Sequence, residues 1–325
     1  MTDPFRHHGG NLAAARAHYG DGVWLDLSTG INPDAWPVPQ DLAIDPRPLP
    51  DPAALHALEA AAAAHFGVSP EHVCAVPGSE MGLRLLRPLL GARGRHHVPG
   101  YRTHAAVFAD STPWATGGAM AHGDSLVLAN PNNPRGTLHA PEALIALLNK
   151  REAEGGWLVV DEAFVDPHPD ASIAARVADQ RRLIVFRSFG KFFGLAGLRL
   201  GFVVAPRAVI AGYRALLGDW PIDATALAIG TAAYRDARWI AATCAALPAR
   251  AAALDTVLQA HGLAPIGQSP LFRLVESADA PALFERLATA HILVRPFDAA
   301  PHQLRFGVPH QPAALERLDQ ALRLG

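Results

Sequence analysis

The sequence predicts an α/β fold with a mostly parallel central sheet, followed by a smaller α+β domain. Short apolar runs rich in β-branched residues alternate with helix-like segments over much of the chain, which is typical of βαβ units. These runs predict strands at residues 72–76, 125–129, 157–160, 183–186 and 200–205. After about residue 215 the pattern changes to helices and a few short strands.

The elements of the first part follow in order along the chain. The first 45 residues are rich in glycine and proline and poor in periodicity, which predicts an arm that packs on the rest of the protein. An alanine-rich helix is predicted over residues 52–66, with Asp51 as its N-cap, Pro52 at its first position and Gly67 just beyond its end. Further helices are predicted over residues 79–90 and 141–149.

The second part closes the chain. Short strands are predicted around residues 292–294 and 304–308, and a helix over residues 312–324. We therefore expect an N-terminal arm at residues 1–45 that packs on the small domain and active site, a large domain at residues 46–215, and a small α+β domain at residues 216–325.

Composition and charge exclude several classes of protein. Of the 325 residues, 50% are hydrophobic and 18% are charged, and the net charge of −2 indicates neither a nucleic acid nor an anionic membrane surface as a partner. No apolar stretch reaches the roughly 18 residues of a membrane span, and the N-terminus lacks the apolar core of a signal peptide, so we expect a cytoplasmic protein. Cys74 and Cys244 form no CxxC pair and the 16 histidines no HExxH motif, which argues against disulfides and zinc.

The use of lysine singles out one residue. The 28 basic residues are 26 arginines and only two lysines, Lys150 and Lys191. Lys150 lies at the polar end of a helix-like segment, where a solvated surface charge is the favoured interpretation. Lys191 lies among aromatic residues and glycines, where a desolvated amine loses its proton easily and becomes a nucleophile. A lysine at a loop edge with its amine in solvent is the alternative on this segment alone.

Polar residues follow the predicted strands, and ligands bind beyond the carboxyl ends of strands in a parallel sheet. Residues 77–80, Pro-Gly-Ser-Glu, open a helix and can point backbone N–H groups at an anion, although a plain turn also explains them. Residues 130–136 form a loop whose prolines and glycine suit a turn, but a turn does not explain its three asparagines. Asp161 and Lys191 follow the next two strands, and helix capping is the alternative role for Asp161.

These residues fit one cofactor better than its rivals. Gly194, Gly197 and Gly201 lack GxGxxG spacing, and no GxxxxGK[ST] motif occurs, so neither a dinucleotide site nor a P-loop is indicated. Pyridoxal phosphate (PLP) needs a lysine for its aldehyde, an acid for its ring nitrogen, and donors with a cation for its phosphate. The sequence offers an amine, a carboxylate, an asparagine, an anion-binding turn and an arginine at successive strand ends.

Several motifs carry a resemblance to a known family. Asn-Pro-x-Asn-Pro-x-Gly at residues 130–136, Asp-Glu-Ala-Phe at 161–164 and Ser-Phe-Gly-Lys-Phe-Phe-Gly-Leu-Ala-Gly-Leu-Arg-Leu-Gly at 188–201 are similar to the fold-type I aminotransferases near histidinol-phosphate aminotransferase. The likeness runs over nearly the whole chain. His-Gly-Gly-Asn at residues 8–11 and Leu-Ser-Thr-Gly-Ile-Asn-Pro at 27–33 resemble the threonine-phosphate decarboxylases of cobalamin biosynthesis, which share that fold.

The resemblance implies a role for each matching residue. Lys191 would bind the PLP aldehyde covalently, Asp161 would pair with the ring nitrogen, and Tyr101 would stack on the ring face. The other implied cofactor contacts are Asn133 to the phenolic oxygen and Gly78, Ser79, Glu80, Ser188 and Arg199 to the phosphate. The implied substrate contacts are His8, Gly9, Asn32, Asn133, Arg295 and Arg305. Each of the two arginines follows a strand-like apolar pair, and together two guanidiniums can hold a doubly anionic substrate.

Two positions depart from the aminotransferase pattern. Phe164 and Leu49 stand where the aminotransferase relatives usually have tyrosine, which disfavours transamination. Phe164 fits the decarboxylase branch, whereas Leu49 is less diagnostic.

The resemblance implies a PLP-dependent carboxy-lyase, a homodimer that converts O-phospho-L-threonine into (R)-1-aminopropan-2-ol O-phosphate for cobalamin biosynthesis. The alternative is an aminotransferase of a phosphorylated amino acid or amino alcohol, because the cofactor motifs are the same. A module of this fold that binds without reacting, such as the effector half of a transcription regulator, needs an attached basic DNA-binding domain, and we expect none.

Overall fold

The computed structural model describes residues 4–6, 8–91 and 93–323, and the chain divides into two compact units. The small unit consists of Met1–Asp34, Pro134–Gly136 and Thr243–Gly325, and the large unit of Ala35–Asn133 and Thr137–Ala242. These borders differ from the predicted limits at residues 45 and 215. Trp36 explains the first difference, because its backbone N–H donates to the carbonyl of Phe193 at 2.9 Å and its indole to Asp236 at 3.1 Å, both within the large unit.

The strands are, in chain order, β1 (Leu25–Asp26), β2 (Val73–Val76), β3 (Arg93–His97), β4 (Asp110–Trp114), β5 (Ser125–Ala129), β6 (Leu158–Asp161), β7 (Leu183–Ser188), β8 (Gly201–Val204), β9 (Phe272–Glu276), β10 (Ile292–Leu293), β11 (Arg295–Pro296) and β12 (Gln303–Gly307). The α-helices are α1 (Leu12–Tyr19), α2 (Pro52–Phe66), α3 (Ser79–Leu85), α4 (Arg87–Leu90), α5 (Pro141–Ala153), α6 (Phe189–Phe192), α7 (Arg207–Leu217), α8 (Ala224–Arg235), α9 (Ala237–Ala260), α10 (Ala280–Thr289) and α11 (Pro312–Arg323).

The large unit is built on a seven-stranded sheet with the order β2-β8-β7-β6-β5-β3-β4. The pairs β3–β4, β3–β5, β5–β6 and β6–β7 are parallel, whereas β8 runs antiparallel to both of its neighbours. The predicted α/β class with a mostly parallel sheet is therefore confirmed. Each of the five predicted strands is present, with ends that differ by at most two residues.

Strands β3 and β4 are absent from the sequence prediction, and their composition explains why. They read Arg-Gly-Arg-His-His and Asp-Ser-Thr-Pro-Trp, and β4 is the last strand at one edge of the sheet, where its residues are exposed or half-buried. An edge strand is held by backbone pairing to its single neighbour and needs no apolar run.

Capping residues in the sequence predict the ends of one helix correctly, but the sequence prediction misses a break in another helix. Helix α2 has the predicted bounds, with the Asp51 carboxylate accepting the N–H of Ala53 at 2.8 Å and Gly67 in the left-handed region at φ 69°. The single helix expected over residues 79–90 is instead two helices, α3 and α4. Pro88, at the second position of α4, has no N–H to donate back into the preceding turn, so it suits the start of a new helix.

Helix α3 is tied to the sheet by a buried core. Val127, Val159 and Ile184, from β5, β6 and β7, belong to one apolar cluster with Leu83 of α3 and Tyr213 of α7. The Tyr213 hydroxyl also donates to the carbonyl of Gly82 at 2.8 Å. The first turn of α3 is therefore held at a defined position beside the strand ends.

The small unit contains a three-stranded antiparallel sheet in the order β11-β12-β9 and a parallel pair of β1 with β10. Its core includes Leu254, Leu258, Leu287 and Phe306. The predicted arm at residues 1–45, which is poor in periodicity, contains α1 and β1. The predicted last helix is α11, which is described to Arg323; Leu324 and Gly325 lie outside the described residues, as do Met1–Asp3 and His7 of the predicted arm.

One helix among the described residues, α9, is long and apolar enough to cross a membrane by length and composition alone. A single such helix is weak evidence for a membrane span. Its buried residues Leu247, Ala251, Leu254 and Leu258 recur every three to four positions, the pattern of a helix that packs one face on a core. Within residues 4–6, 8–91 and 93–323 no group of His, Cys, Asp or Glu side chains is arranged to hold a metal ion, and Cys74 is a buried free thiol.

Candidate active site

The carboxyl ends of two neighbouring strands bring the predicted catalytic residues to one edge of the large unit's sheet. Asp161 is the last residue of β6 and Ser188 the last of β7, and these strands pair in parallel with Asp161 opposite Phe186. Helix α6 follows directly and contains Lys191, which is half-buried. The Lys191 ammonium nitrogen lies 5.8 Å from the ring centroid of Phe164, whose side chain is buried.

Asp161 is 5% exposed, and both of its carboxylate oxygens have partners. Oδ1 accepts the backbone N–H of Ala163 at 3.1 Å, which is the local turn contact expected of a capping residue. Oδ2 lies 3.0 Å from Nε2 of His104, which local capping does not explain. Each carboxylate oxygen has two lone pairs, so the group retains capacity for a further donor.

His104 is a candidate functional residue that the sequence analysis missed. Its side chain is 1% exposed, and its Nδ1 is buried without a hydrogen-bond partner among the described residues. The only signal in the sequence is its place three residues after Tyr101. Its partnership with Asp161 depends on two segments that are 57 residues apart in the chain.

Tyr101 connects this pair to the turn before α3. Its ring meets the ring of His104 edge to face, with centroids 5.7 Å apart, and its hydroxyl donates to Oε2 of Glu80 at 2.8 Å. Burial, followed by the hydrogen bond to Glu80, raises the pKa of Tyr101 to about 12, so at neutral pH the phenol keeps its proton and acts as the donor. Glu80, Tyr101, His104 and Asp161 form a continuous row of contacts.

The turn at Gly78 has the form of an anion cradle. Gly78 has φ 83°, and a Cβ atom there would lie 2.6 Å from Nη2 of Arg199. A Cβ on Gly201 would lie 2.3 Å from the backbone nitrogen of Ser79. Only glycine allows these approaches, and they place the Arg199 guanidinium beside the first N–H groups of α3, with Ser188 opposite Gly201 in the sheet.

The three asparagines of the 130–136 loop divide into two kinds. Asn130 and Asn132 are buried, and their side chains bind backbone groups: Asn130 contacts His139 and the carbonyl of Ala171, and Asn132 donates to the carbonyl of Pro99 at 3.0 Å. A structural role therefore explains two of the three, contrary to expectation. Asn133 is half-buried and stays the candidate for the cofactor's phenolic oxygen.

The predicted substrate residues lie in the small unit. Arg295 and Arg305 are paired across the antiparallel strands β11 and β12. Arg305 is 7% exposed and donates to the carbonyl of Ser28 at 3.1 Å, and Arg295 donates to the carbonyl of Phe5 at 2.6 Å. Burial and the charge of Arg295 lower the pKa of Arg305 to about 9, so a bound anion would relieve the repulsion between the two guanidiniums.

The head of the chain contacts the same residue, Ser28, that Arg305 contacts. The backbone N–H of Gly10 donates to the Ser28 hydroxyl at 2.7 Å, and a Cβ on Gly9 would lie 2.3 Å from the Ser28 carbonyl oxygen. His8 is exposed, and Asn32 is buried with its side-chain oxygen accepting the N–H of Asp34 at 3.1 Å. The structure thus brings Gly9 and Arg305 together, whereas part of the bonding capacity of Asn32 is used locally.

The donor set of the large unit fits PLP. It supplies an amine at Lys191, a buried carboxylate at Asp161 and an anion cradle that any side chain at Gly78 would fill. Phe164 lies beside the amine with no hydroxyl to offer. Leu49 is 67% exposed, and no contact among the described residues gives it a role in the site.

Known proteins match this chain over most of its length. The family model described as aminotransferase class I and II matches residues 118–322. Threonine-phosphate decarboxylases from Sinorhizobium sp and Pseudomonas aeruginosa are 42% and 36% identical, covering 97% of this chain and 97% and 96% of their own. Histidinol-phosphate aminotransferase from Sinorhizobium meliloti, in complex with pyridoxal-5'-phosphate, has a TM-score of 0.82 at 22% identity, covering 96% of this chain and 94% of its own.

Proposed function

The chain belongs to the threonine-phosphate decarboxylases within the class I and II aminotransferase family, and on this premise we propose that it is a PLP-dependent carboxy-lyase. Its substrate is O-phospho-L-threonine and its products are carbon dioxide and (R)-1-aminopropan-2-ol O-phosphate, an intermediate for cobalamin biosynthesis. The finding that carries the proposal is the cross-strand pair Arg295 and Arg305, because it provides two cations for a substrate with two anionic groups.

PLP, when bound, supplies the aldehyde for the substrate amine and an electron sink for the bond that breaks. Lys191 would hold the cofactor through its side-chain amine, and the same Nζ would supply the proton that replaces the carboxylate on Cα. Asp161 keeps the ring nitrogen protonated, and His104 orients the Asp161 carboxylate through its 3.0 Å contact. Ser188, Arg199 and the first N–H groups of α3 bind the cofactor phosphate.

Decarboxylation, as opposed to transamination, depends on which bond at Cα stands perpendicular to the cofactor ring, and that orientation follows from where the substrate's anions are held. Arg295 and Arg305, with Gly9 and Asn32, are proposed to hold the carboxylate and phosphate. Phe164 supports this assignment, because its ring, which carries no hydroxyl, lies 5.8 Å from the Lys191 amine. The aminotransferase of a phosphorylated amino acid or amino alcohol is the second candidate, and it rests on the shared cofactor residues.

Product analysis with O-phospho-L-threonine decides between the two. The proposed enzyme releases one carbon dioxide for each substrate consumed, without a second amino acid or a keto acid. An aminotransferase instead converts bound PLP to its amine form, releases a keto acid and leaves the carboxylate in place. Either result is read directly from radiolabelled carbon dioxide and mass spectrometry.

The proposal includes two further points: the protein is cytoplasmic, and it is a homodimer, which is the assembly that the family resemblance implies. Light scattering of the purified protein, at several concentrations and with PLP present, is expected to give twice the chain mass of 34.4 kDa. A monomer that is fully active would contradict this part of the proposal.

A further inference from the structure

Glu80 presents an acidic side chain in the turn proposed to bind a phosphate, where a second negative charge is unfavourable. Its backbone belongs to the first turn of α3, but its carboxylate is directed to the loop that begins at Tyr101. Oε2 accepts the Tyr101 hydroxyl at 2.8 Å, and Oε1 accepts the Thr103 hydroxyl at 2.9 Å and Nε of Arg84 at 2.7 Å.

These contacts differ in burial, and the difference indicates which of them matters. Thr103 is 4% exposed and Tyr101 is half-buried, whereas the side chain of Arg84 is 54% exposed. Solvent and salt screen an exposed ion pair within one helix. Hydrogen bonds from hydroxyls to a half-buried carboxylate are charge-assisted and short. The carboxylate is therefore bound most effectively on its inner side, by Tyr101 and Thr103.

We propose that Glu80 is a positioning residue that holds the hydroxyl end of Tyr101, so that the ring is already oriented when PLP arrives. The inference rests on the proposed function, in which this ring stacks on the cofactor. Two contacts define the ring plane: Glu80 binds the hydroxyl, and His104 meets the ring edge to face at an interplanar angle of 85°. A ring fixed before binding loses less conformational freedom when the cofactor binds.

A double-mutant cycle on cofactor affinity tests the proposal. Cofactor-free parent protein, Glu80→Gln, Tyr101→Phe and the double variant are each titrated with PLP, and the dissociation constant is followed by protein fluorescence. Each single change is expected to weaken binding by roughly tenfold, since one charge-assisted hydrogen bond is lost. The double variant is expected to be no weaker than the single ones, because Glu80→Gln removes the charge and Tyr101→Phe the donor of the same charge-assisted hydrogen bond.

Two controls separate positioning from general stability. Arg84→Gln removes the exposed partner of the same carboxylate and is expected to change the dissociation constant by less than about twofold. Thermal unfolding of the cofactor-free proteins shows whether a variant is merely less stable. A variant that is only less stable has a lower melting temperature, and its effect on PLP affinity does not depend on the other substitution.

Each outcome has one meaning. Three results would overturn the role of Glu80 and leave the proposed function intact. They are losses of PLP affinity that multiply in the double variant, parent-like affinity in Glu80→Gln, and a loss in Arg84→Gln equal to that in Glu80→Gln. A parent protein that takes up no PLP would overturn the proposed function, and the role of Glu80 with it. Non-additive tenfold losses, with Arg84→Gln unchanged, support the proposal.

Discussion

Nε2 of His104 lies 3.0 Å from Oδ2 of Asp161, and both side chains are buried. A carboxylate placed to pair with a ring nitrogen must keep its position, and a hydrogen bond from a buried imidazole supports that position. A simple capping role needs only the Ala163 N–H, so the His104 contact is additional to capping.

Lys191 is expected to be the residue that carries PLP. Lys191→Arg keeps the positive charge but cannot bind an aldehyde covalently, so turnover should be abolished while the circular dichroism spectrum is retained. Lys150→Arg, which changes the exposed lysine near the end of α5, is the matched control and should be fully active. Borohydride treatment followed by peptide mapping should find the reduced cofactor on Lys191. A cofactor label on Lys150 would contradict the assignment.

Asp161 is expected to act mainly on the chemical step. Asp161→Ala should lower kcat by roughly a hundredfold or more, because the stabilisation is needed most as negative charge develops in the transition state. The dissociation constant for PLP should change much less. A variant with near-normal turnover and only a lower melting temperature would show that Asp161 is a capping residue.

His104 is expected to act through Asp161. His104→Gln should lower kcat by roughly tenfold, about the effect of one hydrogen bond, and adding it to Asp161→Ala should cost little more. His56→Gln, at an exposed histidine of α2, is the control and should be silent. Independent, multiplying effects of His104 and Asp161 would contradict the positioning role.

Arg295 and Arg305 are expected to hold the substrate's anionic groups. Arg295→Ala and Arg305→Ala should each lower kcat/KM for O-phospho-L-threonine by roughly a hundredfold or more, while PLP stays bound. Unphosphorylated threonine should be a poor substrate for the parent enzyme, because one of the two charged contacts is missing. Arg16→Ala, an exposed arginine of α1, serves as the control; equal rates for threonine and phosphothreonine would refute the assignment.

Asp124 is expected to make stability depend on acidity. Burial raises its pKa, but hydrogen bonds from Arg95, the Ala121 N–H and Arg93 outweigh burial, and the folded-state pKa lies below its usual range. Its carboxylate thus stabilises the fold above the unfolded-state pKa of about 4, and this contribution is lost as the pH falls through the folded value.

Asp124→Asn should accordingly lower the melting temperature at neutral pH, and the difference from the parent should shrink below about pH 4. Asp110→Asn, an exposed aspartate of β4, is the control. A difference that persists unchanged in acid would indicate that shape, rather than charge, accounts for the contribution of Asp124.

Local signals in the sequence determined the parts of this protein whose physics is local. The bounds of α2 follow from the Asp51 cap, Pro52 and Gly67. The central strands follow from apolar runs, because a strand whose two faces are both buried needs apolar residues at successive positions. Composition singled out the two lysines, and the residues around each separated Lys191 from Lys150. The place of Asp161 at the end of β6 was also predictable, because the carboxyl ends of parallel strands lie at the same edge of the sheet.

The tertiary structure alone decided which side chains meet. His104 reaches Asp161 across 57 residues and Glu80 reaches Tyr101 across 21, and nothing in either segment announces its partner. Strand β3 and the edge strand β4 are held by backbone pairing, and neither carries an apolar run that the sequence could show. Asn130 and Asn132 resemble site residues in the sequence, yet buried backbone groups that must be hydrogen-bonded take up their amides. Non-local hydrogen bonds and desolvation act between segments that only the fold brings together, so they leave no period or spacing in the chain.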